Sequence, residues 1–317
     1  MARTSLGRIH ILLIGHHAVA IGTEASYDHG RKRVYPKRNR ALVAHFAPGG
    51  SNVRSARAYP SVPDRLDGVT PTTVQMPKSK RVFLSAEWRD LVMLNYQVEP
   101  ALLRRYVPSG TTLDSFDGRT YVSLVGFRFC RTKLLGRFSV PFHTDFEEVN
   151  LRIYVRRKDG GDDRRGVVFI SEIVPRRTIA TTARLIYGEN YKRFPMRHRI
   201  EKGHSNMRVE YQWQTGDHWC SLSARTIGAP AHPQQGSLEQ FITEHYWGYS
   251  AQRNGGCVEY RVSHVPWQVW ETTDAGFKGE PSALYGSELA ALLKRRPDSA
   301  FVADGSPVIV FAGTRVQ

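Results

Sequence analysis

Phe146-Glu-Glu-Val-Asn-Leu-Arg-Ile-Tyr-Val155 alternates with a period of two. Val149, Leu151, Ile153 and Val155 share one face of an extended chain, and Glu148, Asn150, Arg152 and Tyr154 share the other. A helix would repeat its apolar positions every three and four residues, so this stretch predicts a strand. On an open sheet the polar face would meet water. In a closed barrel the apolar face packs outward under helices. The carboxylate, amide and guanidinium then line the lumen as a small-molecule site.

The flanking sequence extends this pattern. Val149–Arg156 and Gly166–Val174 border a Gly/Asp-rich turn at 159–163, and Thr111–Phe116 and Arg119–Phe129 border Asp117-Gly118. Met207–Gln214 and Trp219–Thr226 border Gly216-Asp217. Each predicts a hairpin, because glycine accepts the positive φ that tight primed turns require. Further strands are expected at Val258–His264, Trp267–Trp270, Phe301–Ala303 and Val308–Phe311. Helices are expected at Glu99–Tyr106, Thr178–Gly188, 237–247 and Gly286–Arg296. Pro100 opens the first, a Ser237-to-Gln240 capping box starts the third, and Pro297 follows the last. No strand–helix alternation is long enough for a parallel sheet. The expected fold is mainly β with a few helices: a closed antiparallel β-barrel, helices packed outside, in one domain over residues 82–317.

Residues 1–81 differ in kind. They hold 14 Lys and Arg against 4 Asp and Glu, whereas the remaining 236 residues hold 31 against 25. All six tryptophans follow Arg81. A stretch that basic and that poor in large side chains buries too little surface to offset its ordering entropy, so it predicts a disordered extension. Its basic run 31–40 (RKRVYPKRNR) could neutralise phosphates of a polyanion. No specific nucleic acid is predicted. Ile9–Gly15 resembles a short signal-peptide core but is broken by His16-His17, and no segment reaches 18 uninterrupted apolar residues, so no membrane span is expected. Cys130, Cys220 and Cys257 are scattered, which points to a reducing, cytoplasmic setting rather than a disulfide framework. Nothing in the sequence argues for or against a homo-oligomer.

The chain lacks GxGxxG, GxxxxGK[ST], GxSxG, HExxH and any CxxC pair, and its histidines show no short metal-ligand spacing. No cofactor or metal is predicted. Candidate chemistry therefore rests on charges placed against apolar stripes. Glu172 shares its even spacing with Val168, Ile170 and Val174, so a carboxylate falls on an apolar face and must find a partner or shift its pKa, either as a structural ion pair or as a substrate-facing catalytic acid or base. Arg152, Arg128 or Arg176-Arg177 are the available partners. His245 ends the apolar face of the 237–247 helix, where Gly248 offers a C-cap, and Tyr246 and Trp247 beside it are further ligand-binding candidates. A structural histidine held by a carbonyl and a general acid or base both fit that position. Arg128, Arg152 and Arg184 are expected to clamp anionic groups, with Glu148 and Asn150 orienting a carbonyl or carboxylate ligand.

The blocks WRDLVMLNYQVEP (88–100), PSGTTLDSFDGRTYVSLVGFRF (108–129), PFHTDFEEVNLRIYVR (141–156), GVVFISEIVPRR (166–177) and EHYWGY (244–249) resemble the YqjF-like family of uncharacterised bacterial proteins. The resemblance runs from about Arg81 to about Trp270, and it implies the fold of acetoacetate decarboxylase, a closed barrel around an internal cavity. Those enzymes form a Schiff base through a lysine made nucleophilic by a hydrophobic site and an adjacent cation. The family motifs, Gly-Arg-Glu and then Pro-Lys-Lys, correspond here to Ala183-Arg184-Leu185 through Tyr191-Lys192-Arg193. Arg184 carries over. Lys192 stands beside Arg193 without the Pro-Lys-Lys sequence, and it is the residue that a Schiff-base lyase would use.

Overall fold

In a computed structural model of the chain, the described residues are 9–14, 17–22, 81–139, 144–175, 190–252 and 255–316. The chain divides into two units, Met1–Pro77 and Lys78–Gln317. In the first, β1 (Ile9–Ile14) and β2 (His17–Gly22) pair as an antiparallel hairpin. The basic run 31–40, the helix expected over 178–188 and Arg184 within it lie outside the described residues. Among the described residues no helix is long and apolar enough to cross a membrane.

The second unit is mainly β. Its strands are β3 (Val82–Val98), β4 (Thr112–Leu113), β5 (Thr120–Leu134), β6 (Phe138–Ser139), β7 (Phe146–Asp159), β8 (Asp162–Val174), β9 (Tyr191–Arg193) and β10 (Met196–Lys202). They continue as β11 (Met207–Thr215), β12 (His218–Ala231), β13 (Trp247–Ala251), β14 (Cys257–Ser263), β15 (Val269–Lys278), β16 (Ser299–Phe311) and β17 (Thr314–Val316). Short helices interrupt them: α1 (Pro100–Leu103), α2 (Leu238–Thr243), α3 (Ser282–Tyr285) and α4 (Ser287–Leu293). The sheet runs β10-β11-β12-β15-β16-β3-β5-β7-β8-β13-β14-β17, and β14 also pairs with β16. The hydrogen-bonded path β16-β3-β5-β7-β8-β13-β14 thus returns to β16.

Turn chemistry sets the local pairing. Asp117 and Gly118 both have positive φ, as a primed turn demands, and Phe116 bridges Arg119. That hairpin goes no further, because β4 leaves to pair with β7 at Arg156 and Val155. Gly160 and Gly161 close β7 onto β8, and Gly216 opens the turn from β11 to β12. The expectation of a wholly antiparallel sheet needs correction, since β8 pairs in parallel with both β9 and β13. The long connection from β8 to β13 lets the chain re-enter in the same direction. The helix expected over 237–247 starts as predicted, with Ser237 Oγ accepting from the Gln240 amide, but it ends at Thr243. Trp247 already belongs to a strand. At Gly248 a Cβ would lie 2.1 Å from the Tyr260 ring, so this glycine provides close approach between β13 and β14 and not a helix cap.

Both faces of the central strands are buried, which explains why the β7 alternation carries polar groups without exposing them. Val149, Leu151, Ile153 and Val155 pack with Leu94, Leu124, Tyr211, Trp213 and Leu222, and with Leu289 and Leu293 of α4. Burial of each large apolar side chain contributes roughly 1.5–3 kcal/mol. The opposite face belongs to a second cluster containing Val125, Phe127, Phe129, Phe146, Val167, Phe241 and Trp267.

A β-bulge fixes what β8 presents. Leu151 faces Ser171, yet Arg152 faces Phe169, so Ile170 is an additional residue in β8. Parity reverses across it. Val168, Ile170 and Ile173 face the first cluster, whereas Val167, Phe169 and Glu172 turn to the other side. Glu172 therefore does not share a face with Val168 and Ile170, as strict period two had implied.

Candidate ligand cavity

The second face of the sheet encloses a cavity of about 210 Å³. That lies below the 300–1,000 Å³ common for drug-sized ligands, so the space suits a small compound. Glu148, Asn150 and Arg152 of β7 and Glu172 of β8 line it, with Thr243 at the end of α2 and His245 just beyond. The remainder is mainly aromatic and aliphatic: Trp88, Phe127, Phe129, Phe146, Phe169, Trp247, Tyr260 and Trp267, with Leu91, Val125 and Val167. A lumen polar throughout was expected; the charged groups instead form a strip along β7 and β8 within an apolar enclosure.

Arg152 is buried at 9% exposure. Its Nε donates to Tyr154 Oη at 3.3 Å and its Nη2 to the Ile242 carbonyl at 3.2 Å. Among the described residues it forms no ion pair. Tyr154 in turn contacts Ser123 Oγ at 2.6 Å, and Ser123 donates to Asn95 Oδ1 at 2.6 Å. Since the single Ser123 proton is committed to Asn95, the Tyr154 hydroxyl donates to Ser123 and accepts from Arg152. This chain holds the guanidinium in place. Asn150 Nδ2 donates to Glu148 Oε1 at 3.0 Å, and the Tyr191 hydroxyl donates to the other Glu148 oxygen at 3.5 Å. Asn150 also sits opposite Glu172 across the β7–β8 ladder.

His245 is paired with a residue that the sequence did not single out. Its Nε2 lies 3.1 Å from Asp114 Oδ2. Asp114 is fully buried and also accepts from Arg156, at 3.0 and 2.5 Å, and from Arg165 Nε at 2.7 Å. Burial pushes the Asp114 pKa upward, but the hydrogen bonds from His245, Arg165 and Arg156 outweigh it and hold the carboxyl well below its ordinary value. Burial pushes His245 down to about 4 against the opposing pull of Asp114. The ring is therefore neutral at pH 7. Facing an ionised carboxylate it carries its proton on Nε2, leaving a lone pair on Nδ1. His264, also against the cavity, stacks on Trp267 at 4.3 Å and donates from Nδ1 to the Val265 carbonyl at 2.8 Å.

The structure brings together six of the residues expected in the site: Glu148, Asn150, Arg152, Glu172, His245 and Trp247. Three lie elsewhere. Arg128 follows Phe127 in β5, so alternation turns it to the other side of the sheet, where it pairs with Asp90 at 2.6 Å. Lys192 follows Tyr191 in β9 and is likewise reversed; its Nζ donates to the Leu284 carbonyl at 3.1 Å. Tyr246 packs on His264, ring centroids 4.8 Å apart, outside the lining. Trp247 is braced from behind by Arg164, 4.6 Å above its ring, which with Arg157 pairs with buried Glu259.

A family profile described as an uncharacterized conserved protein, DUF2071, matches residues 85–307. The uncharacterized protein YqjF of Bacillus subtilis is 28% identical over 182 residues, which cover 57% of this chain and 72% of that protein. Among solved structures, an acetoacetate decarboxylase from Legionella pneumophila matches with a TM-score of 0.53 at 14% identity, over 81% of this chain and 98% of its own. The enduracididine biosynthesis enzyme MppR, in complex with pyruvate, matches at 0.53 and 14%, over 78% and 95%. An acetoacetate decarboxylase-like enzyme from Sphingomonas wittichii matches at 0.52 and 13%, over 79% and 99%. At such identities the likeness shows a shared fold.

Proposed function

The chain belongs to the DUF2071 family, and from its acetoacetate decarboxylase-like fold and the cavity geometry we propose that it binds a small carbonyl or carboxylate compound inside the sheet. The strand path that returns to β16 supports reading the enclosure as a closed barrel. The single observation carrying the proposal is Arg152. A buried guanidinium that forms no ion pair among the described residues is costly unless an anion meets it, and its fork suits a carboxylate. Pyruvate, the compound bound by MppR, has the appropriate charge and size. Asn150 orients the ligand, while Glu172 and His245 are the groups placed for proton transfer. A Schiff base is disfavoured, because the Lys192 amine is engaged by Leu284 and no lysine lines the cavity among the described residues.

Calorimetric titration of the full chain with pyruvate and with acetoacetate tests this reading. Binding is expected, weakened at least about tenfold in Arg152→Gln and less in Arg152→Lys, which keeps the charge. Equal affinity in wild type and Arg152→Gln, with both folded by circular dichroism, would overturn it.

A further inference from the structure

The groups around Arg152 restrict the ligand beyond the presence of a carboxylate. Two buried acceptors share the cavity wall with the guanidinium. One is His245 Nδ1, whose lone pair is fixed there by the Nε2 bond to Asp114. The other is Asn150 Oδ1, whose orientation is fixed because Nδ2 donates to Glu148. Among the described residues neither atom has a hydrogen-bond partner. Both belong to side chains that line the cavity. Leaving a buried acceptor unmatched costs about 1–3 kcal/mol, a cost relieved only by a donor. A 2-oxo acid offers acceptors alone at and beside its carboxylate.

The far end of the cavity is different in character. Phe146 lies six residues before Arg152 on β7, about 20 Å along an extended strand at 3.3 Å per residue. There Phe129 stacks on Phe146 at 4.7 Å, with Trp88 edge-on to Phe129 at 5.9 Å. Among the described residues the Trp88 indole N–H also lacks a partner, but it belongs to this aromatic end and does not select the head group.

We propose that the occupant is a 2-hydroxy or 2-amino carboxylate with an apolar chain. Its carboxylate sits on Arg152, the donor on its Cα meets His245 Nδ1 and Asn150 Oδ1, and its tail points toward Phe129 and Phe146. The inference rests on the carboxylate reading above and sharpens it to one class of acid.

The test is a set of four acids sharing one carbon skeleton, titrated into the wild-type full chain: 4-methylpentanoate and its 2-hydroxy, 2-amino and 2-oxo derivatives. The hydroxy or the amino acid, or both, is expected to bind at least about tenfold tighter than the oxo and unsubstituted acids, and the stronger of the two identifies the donor. In His245→Phe that preference is expected to shrink while 4-methylpentanoate still binds. Equal affinity for all four, or preference for the oxo acid, overturns this inference and leaves the carboxylate reading intact. Failure of all four to bind at about 10 mM overturns both.

Discussion

Replacing Asp114 by Asn keeps the shape of the side chain and removes a buried charge that three groups hold. Fully buried hydrogen bonds to a charged group contribute about 1.5–3 kcal/mol each. The Arg156 and Arg165 side chains are 37% and 34% exposed, so water screens them and their share is smaller. His245 is buried, and its bond keeps nearly full weight. We expect a net loss of about 3 kcal/mol, the lower end for breaking a buried charged pair. In a domain of this size each kcal/mol shifts Tm by about 2–4 °C, giving a fall of roughly 6–12 °C by calorimetry at pH 7. A second readout separates this site from generic damage. An amide can offer either oxygen or nitrogen to His245 Nε2, so the single tautomer expected in the wild type should become a mixture by nitrogen NMR. A Tm within about 2 °C of wild type, together with an unchanged tautomer, would refute the idea that Asp114 fixes the cavity histidine.

Three further outcomes follow from the geometry. His245 binds its proton at a pKa of about 4 in the fold against the ordinary 6.5, so the unfolded chain holds more protons between those values. Its stabilising contribution is complete above pH 6.5 and declines toward pH 4, by about 3 kcal/mol, in urea titrations; His245→Phe should flatten that slope, and an equally steep one would reject the assignment. Gly305 has a φ of +75°, and a Cβ there would lie 2.0 Å from the Trp88 carbonyl oxygen, so Gly305→Ala should cost about 3 kcal/mol or more and lower Tm by at least about 6 °C, where an unchanged Tm would count against the β3–β16 register. Borohydride treatment with acetoacetate should leave the intact mass unchanged, and an adduct that disappears in Lys192→Met would restore the Schiff-base mechanism.

Much of this architecture was legible because it is written in short-range signals. The period-two alternation of β7, the Asp117-Gly118 turn and the Ser237 cap each depend on a few neighbouring residues, and each appears in the structure. The same local logic misplaced residues wherever parity had to be carried along a strand or across to another. Arg128 and Lys192 each follow a residue that lines the cavity, and a shift of one position in an extended chain moves a side chain to the opposite face. Glu172 shows the converse. Period two put it with Val168 and Ile170, and only the additional residue at the Leu151–Arg152 step, visible solely in the pairing with β7, turns it toward Asn150. Asp114 was hidden for another reason: it lies beside a turn, 131 positions before the histidine it orients, and local periodicity gives no indication that the two meet. The residues that give this cavity its chemistry are thus those whose orientation depends on a bulge or a distant partner. Removing the bulge tests that argument directly. Deleting Ile170 should leave an uninterrupted ladder, with Ser171 still opposite Leu151, Phe169 still opposite Arg152 and Glu172 still opposite Asn150 on the cavity side. The expected result is a protein that still unfolds cooperatively in urea and still binds the carboxylate, its stability lowered by about 2–5 kcal/mol for the lost burial of Ile170; a loss of cooperativity would show that the strand faces of β8 are not set by this one additional residue.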